Sequence, residues 1–205
     1  MSSLRAIEEV GEEDRLRADL YDFLAALLAR PPDMQLLSRC RDLSGDASEL
    51  GQSIAALARV AAAATPQSVE REFNRLFIGI GRGELIPYGS YYLTGFLNEK
   101  PLANLRNDMA ELGIERAADV FEPEDNIASL CEMMAGLIVG RFGTRVSLSR
   151  QKAFFDRHIA PWAAPFFDDL KGAKGSVFYA PVGAIGRLFM DIEKEAFRMA
   201  GDSPA

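Results

Sequence analysis

At 205 residues and 48% hydrophobic, the chain can bury one sizeable core, and its 23 Lys and Arg against 30 Asp and Glu give a net charge of −7. That balance argues against nucleic acid as the main partner; it favours a basic ligand, or else serves solubility alone. Cys40 and Cys131 lie far apart with no Cys or His beside them, and no apolar run has signal-peptide or membrane-span length. A reduced, cytoplasmic protein without metal or stable membrane insertion is the expectation.

Residues 1–13 are polar and are expected to form a flexible N-terminus ahead of a single all-α domain over 14–200. From Asp14, Leu16, Leu20, Phe23, Leu24, Leu27 and Leu28 recur at helical spacing until Pro31 and Pro32 stop them. Met34 to Leu43 reads as a short second helix, and Ser53 to Ala64 as a third, with Ile54, Leu57 and Val60 on one face. Thr65 and Pro66 are a start signal, cap then first helical position, for a helix carrying Val69, Phe73, Leu76 and Phe77. Pro101 begins another that ends at Gly113, where a left-handed cap belongs, and residues 114–121 connect.

Glu122, Pro123, Glu124, Asp125 and Asn126 are read as opening a strongly apolar helix, with carboxylates at the positive end of its dipole, that closes at Gly140–Gly143. Ser147 to Ile159 forms the next helix, Pro161 and Pro165 kink or restart it, and the last runs from about Gly183 to Met199. No alternating segment suggests a strand. The fold class is therefore all-α, a globular bundle of roughly eight to ten helices.

One stretch departs from this regularity. After Phe77 come Gly79, Gly81 and Gly83, then Pro87, then Tyr88, Tyr91 and Tyr92, and the whole 79–100 connection reads as a long loop lying over a groove. The glycines invite a nucleotide reading, but Glu84 stands where the dinucleotide pattern needs another glycine and no Gly-Lys-Ser/Thr follows; positive-φ turns explain them equally. The single histidine, His158, sits among Phe154, Phe155 and Trp162 with no second titrating group in sight, which suits a core residue better than a catalyst. No catalytic motif and no cofactor site is expected. Glu122, Glu124 and Asp125, with Glu84, make either an acidic patch for a basic peptide or a set of helix caps; the tyrosines are either groove walls or packing.

The ordered set of Phe73 to Phe77, Gly79, Pro87 to Tyr91, Leu105 with Arg106, Leu112 with Gly113, Glu122 to Ile127, and Phe155 through His158 to Pro161, Trp162 and Phe166 resembles the TorD/DmsD family over residues 14–190. The resemblance implies an all-helical, non-enzymatic cytoplasmic chaperone for molybdenum enzymes of the dimethyl-sulfoxide-reductase type. Its partners would be the twin-arginine signal peptide and the apo-catalytic subunit of a molybdopterin oxidoreductase, held back from export while the molybdopterin cofactor is inserted. The family includes domain-swapped dimers, so monomer or swapped dimer is implied, and weak guanine-nucleotide binding has been proposed for it.

Carried onto this sequence, the signature acid falls on Asp125, with Glu122 and Pro123 in the same motif, and Leu76, Phe77, Pro87 and Tyr88 on the other face of a signal-peptide site that Glu84, Tyr91 and Asn126 complete. Asn126 stands where many relatives have histidine; it keeps hydrogen bonding but does not titrate near neutrality. A chaperone that binds the mature region of a client lacking a twin-arginine signal is the alternative, and a guanine-nucleotide-binding protein a further one.

Overall fold

The computed structural model describes residues 10–117 and 122–201 and holds, among them, ten α-helices, two five-residue π-helical segments and one isolated antiparallel bridge. The all-α expectation is met. Residues 1–9 of the expected N-terminus and 118–121 of the expected connection lie outside the described residues.

Helix α1 (Glu12–Ala29) begins two residues before Asp14, with Glu12, Glu13 and Asp14 in its first turn, where carboxylates complement the dipole. Helix α2 (Met34–Arg41) is capped by the Asp33 side chain, α3 (Glu49–Ala63) by Ser48 and α4 (Pro66–Phe73) by a reciprocal Thr65–Ser68 capping box. The Ser48 cap starts α3 four residues ahead of Ser53. A π-helical segment, Asn74–Ile78, continues α4 and ends at Gly79.

The 79–100 connection is not one long loop. Its first half folds back on the π segment through Glu84 N–H to Arg75 O (3.3 Å) and Leu85 N–H to Leu76 O (2.8 Å), and its second half contains α5 (Gly89–Thr94), closed by left-handed Gly95. Helix α6 (Lys100–Leu112) ends at Gly113 with φ 69°, as its sequence requires.

Helix α7 (Ile127–Val139) starts later than read. Asn126 is its cap, accepting from Ala128 N–H, so Glu122, Pro123, Glu124 and Asp125 precede the helix and none forms its first turn. Ten of its thirteen residues are buried and only Glu132 is exposed, which makes it the central element. Helix α8 (Leu148–Phe154) passes into a second π segment, Phe155–Ile159; after a turn α9 (Ala163–Gly172) restarts the direction. Helix α10 (Tyr179–Gly201) begins four residues before Gly183.

Helix α1 packs along α7, while α10 packs on α9 and α3. Between these layers Tyr21, Phe155, Trp162, Phe166, Phe167, Phe178 and Tyr179 are fully or almost fully buried. Both cysteines are buried too, and burial pushes the Cys40 thiol up to about 11, out of reach of thiolate chemistry near neutral pH. No helix among the described residues is long and apolar enough to cross a membrane.

Candidate functional site

Two stretches far apart in sequence meet as a short backbone clamp. Ile127 N–H donates to Pro87 O and Gly89 N–H to Asp125 O, each at 2.9 Å, making Tyr88 and Asn126 a bridge pair. Pro87 suits the register because the clamp asks only for its carbonyl, the donor on its own segment being Gly89. The Asp125 carboxylate then completes the joint, its Oδ2 accepting from Ser90 N–H at 2.6 Å. Asp125 thus caps α5, not α7.

Each acid of the motif has its own partner. Glu122, exposed, accepts from the Tyr88 hydroxyl. Burial, and after it the hydrogen bond and charge of Glu122, raise the Tyr88 phenol well above its ordinary range. Glu124 holds Arg106 through Nε (3.0 Å) and Nη2 (2.8 Å), with Arg116 near its other oxygen at 3.8 Å. Burial pushes the Glu124 carboxyl up, but the Arg106 guanidinium and a backbone hydrogen bond outweigh it and hold it below its usual value. Pro123 O accepts from Asn126 N–H, turning the chain into α7. Asp125 differs from the others: it is 3% exposed, and its Oδ1, like the buried Ser90 Oγ, has no hydrogen-bond partner.

Pro87, Tyr88, Glu122, Pro123, Asp125 and Asn126 are therefore brought together. Leu76 is fully buried and anchors the π segment to the core. Phe77 is half-buried, edge-on to Phe73 and Tyr179 at centroid distances of 4.9 and 5.5 Å, within the aromatic cluster that seats α10. Glu84 reaches elsewhere, its Oε1 accepting from Lys174 N–H at 2.7 Å in the turn before α10. Tyr91 is half-buried under Arg82, whose guanidinium lies 5.1 Å from the ring centre and donates to its hydroxyl. Tyr92 packs against Trp162 and Phe166 and donates to Asp169, so it serves the core's edge.

The glycines have a conformational reason. Gly79 and Gly81 take φ of 64° and 88°, and a Cβ at Gly83 would come within 2.5 Å of the Phe77 carbonyl carbon. No group of three or more potential metal ligands occurs among the described residues.

Sequence reasoning placed Arg106 and Ser90 in the motif set without giving either a role, and undervalued His158 and Trp162. His158 Nε2 lies 2.6 Å from Asp108 Oδ2, Arg157 grips the same carboxylate, and Trp162 Nε1–H donates to His158 O at 2.8 Å. Burial lowers the His158 pKa despite Asp108, keeping the ring neutral near pH 7. The four-residue spacing of His158 and Trp162 in the sequence was the available signal.

Comparison with known proteins gives this geometry a context. The family model described as "Nitrate reductase delta subunit" matches residues 44–168. The chaperone protein TorD of Aliivibrio fischeri is 25% identical over 199 residues, covering 86% of this chain and 92% of the relative. TorD of Vibrio cholerae is 25% identical over 198 residues, covering 87% and 90%. The crystal structure of a protein assigned as a redox enzyme maturation protein from Archaeoglobus fulgidus aligns with a TM-score of 0.59 at 17% identity, covering 91% of this chain and 99% of that one, and shares its helical fold.

Proposed function

This chain belongs to the nitrate reductase delta subunit family and is a non-enzymatic, TorD-like redox enzyme maturation chaperone, and from that premise we propose that it binds the twin-arginine signal peptide of an apo-molybdopterin oxidoreductase. It holds that client in the cytoplasm, away from export, while the molybdopterin cofactor is inserted. The observation that carries the reading is the clamp between 87–90 and 122–127, which sets Tyr88, Glu122 and the buried Asp125 at one place on a chain of net charge −7. A leader of that kind is basic and then apolar, so it needs carboxylates beside aromatic surface. Pro87, Tyr88, Glu122, Pro123, Asp125 and Asn126 form the acidic end; Tyr91 and the exposed Ile78 and Ile80 offer apolar surface along the same loop.

Calorimetric titration of the chain with a client's leader peptide, and with the same peptide carrying alanine for both arginines, tests this. Loss of the arginines should weaken binding by about 1–3 kcal/mol, the scale of a charge-assisted contact. The second reading, binding to a mature region of the client, is favoured by the exposed Phe96 and Leu97, apolar side chains beyond the acidic cluster. Unchanged affinity for the alanine peptide would replace the first reading with the second.

A further inference from the structure

Beneath the clamp, between α5, α6 and the second π segment, lies a cavity of about 120 Å³. Its buried wall includes Gly89, Asp125, His158 and Trp162; its rim includes Leu93 and Asn104, the one 43% exposed and the other half-buried. Asp125 contributes a carboxylate with one oxygen spent on Ser90 N–H and the other buried and unpartnered. A buried acceptor without a donor costs on the order of 1–3 kcal/mol, more when it is charged, so a ligand that supplies the donor recovers that cost on binding.

The surroundings say which donor. Arg157, also on the rim, is committed to Asp108, and His158 is kept neutral by burial while its Nε2 faces the same Asp108. The Asp125 carboxylate is thus the one charge lining the cavity that has no cationic partner among the described residues. The indole of Trp162 lines the same cavity. A planar cation with several N–H donors and a weakly hydrated face suits this set, because it can donate to Asp125 while lying against the indole. A compact, strongly hydrated ammonium suits it less.

We infer that this cavity is a guanidinium subsite, which takes one arginine side chain of the client and prefers it to lysine. The inference rests on the peptide-binding reading and deepens it by assigning selectivity to cavity-wall residues outside the acidic motif. Gly89 bounds the space closely, since a Cβ there would lie 2.9 Å from Trp162 Nε1.

Trp162 is the chain's single tryptophan, so its fluorescence and its indole N–H resonance report on the cavity alone. The intact chain is titrated with arginine amide and with lysine amide. Arginine amide should shift the Trp162 signal saturably and lysine amide at least about tenfold more weakly. Asp125→Asn, which keeps an acceptor for Ser90 N–H while removing the charge, should abolish the response. Asn104→Phe, which obstructs the rim and leaves Asp125 in place, should do the same in a chain that melts normally. Equal responses to the two amides, or none, overturn the subsite and leave the cavity to water. A leader peptide that fails to bind while arginine amide still shifts Trp162 refutes the peptide reading and keeps the subsite; a leader that binds without moving Trp162 does the reverse.

Discussion

Arg17 and Glu193, 176 residues apart, form a two-pronged ion pair, Nε to Oε1 at 2.7 Å and Nη2 to Oε2 at 2.9 Å, that fastens α1 to α10. Glu193 is fully buried. The same guanidinium donates to Asp14 at 2.8 Å and lies 5.1 Å from the Phe197 ring centre, so its charge is met on three sides. Burial works against the Arg17 cation, and the Glu193 hydrogen bond and charge outweigh it, so its pKa is raised. The first helix and the last are thereby closed over the aromatic core that supports the clamp from within.

Removing one partner of this pair should be far worse than removing both. Arg17→Met leaves the Glu193 carboxylate buried and uncompensated and should cost about 3–5 kcal/mol in urea unfolding. The double variant Arg17→Met with Glu193→Leu should recover most of that loss, because an apolar pair of similar volume avoids the desolvation of two ions. A single variant as stable as the parent would show that the pair contributes nothing.

Glu72 is the N-terminal cap of α10, although it lies more than a hundred residues earlier. Its carboxylate accepts from the amides of Val177 (2.8 Å), Phe178 (3.2 Å) and Tyr179 (2.9 Å). Glu72→Ala should destabilise the fold by about 1–2 kcal/mol, the upper range of a lost cap, and Glu72→Gln, which keeps one acceptor oxygen, by less. Hydrogen exchange should locate the effect at the amides of residues 177–179. Unchanged exchange there would refute the capping role.

The same contact shows what the sequence could and could not disclose. Helices with local signals were legible: Thr65 and Pro66 start α4, and Gly113 and Gly140 end α6 and α7 in left-handed geometry. Helix α10 starts earlier than its periodicity suggests because its first amides are met by Glu72, and α5 was hidden inside a supposed loop because Asp125, 35 residues away from Ser90, caps it. Local patterns carry no trace of such partners. At the candidate site, the motif residues Glu122 to Asn126 meet Pro87 to Ser90, while Glu84 accepts from the Lys174 amide and Leu76 lies in the core. Arg106 entered only as a member of the motif set; its pairing with Glu124 had no local signal, since a lone arginine on an amphipathic helix reads as solvated surface.

Acid should loosen the fold through its single histidine. Burial lowers the His158 pKa below its ordinary 6.5, so the unfolded chain takes up a proton first as pH falls. The His158 contribution is therefore fully present above pH 6.5 and is lost as pH drops from there through the folded value. Melting temperature should decline over that range before the carboxylates titrate, and His158→Gln should flatten the decline while lowering the plateau. A melting temperature that rises on mild acidification would mean that Asp108 holds the ring protonated in the fold.

Glu122 offers the complementary test at the exposed end of the site. Its carboxylate is held by the Tyr88 hydroxyl, in a contact that a basic peptide can replace. Because Glu122 is exposed, Glu122→Gln should weaken leader binding only about two- to fivefold, and the difference should vanish at high salt, where exposed charges are screened. Tyr88→Phe removes the competing donor and should leave Glu122 freer, so its affinity should equal or exceed that of the parent; weaker binding would show that the hydroxyl itself contacts the peptide. Asp125→Asn, by contrast, removes a charge shielded from solvent, and its effect should persist in salt. Calorimetry across a salt series for the three variants separates the two acids: parallel salt slopes for Glu122→Gln and Asp125→Asn would show that both meet the peptide in solvent and that the buried carboxylate plays no separate part.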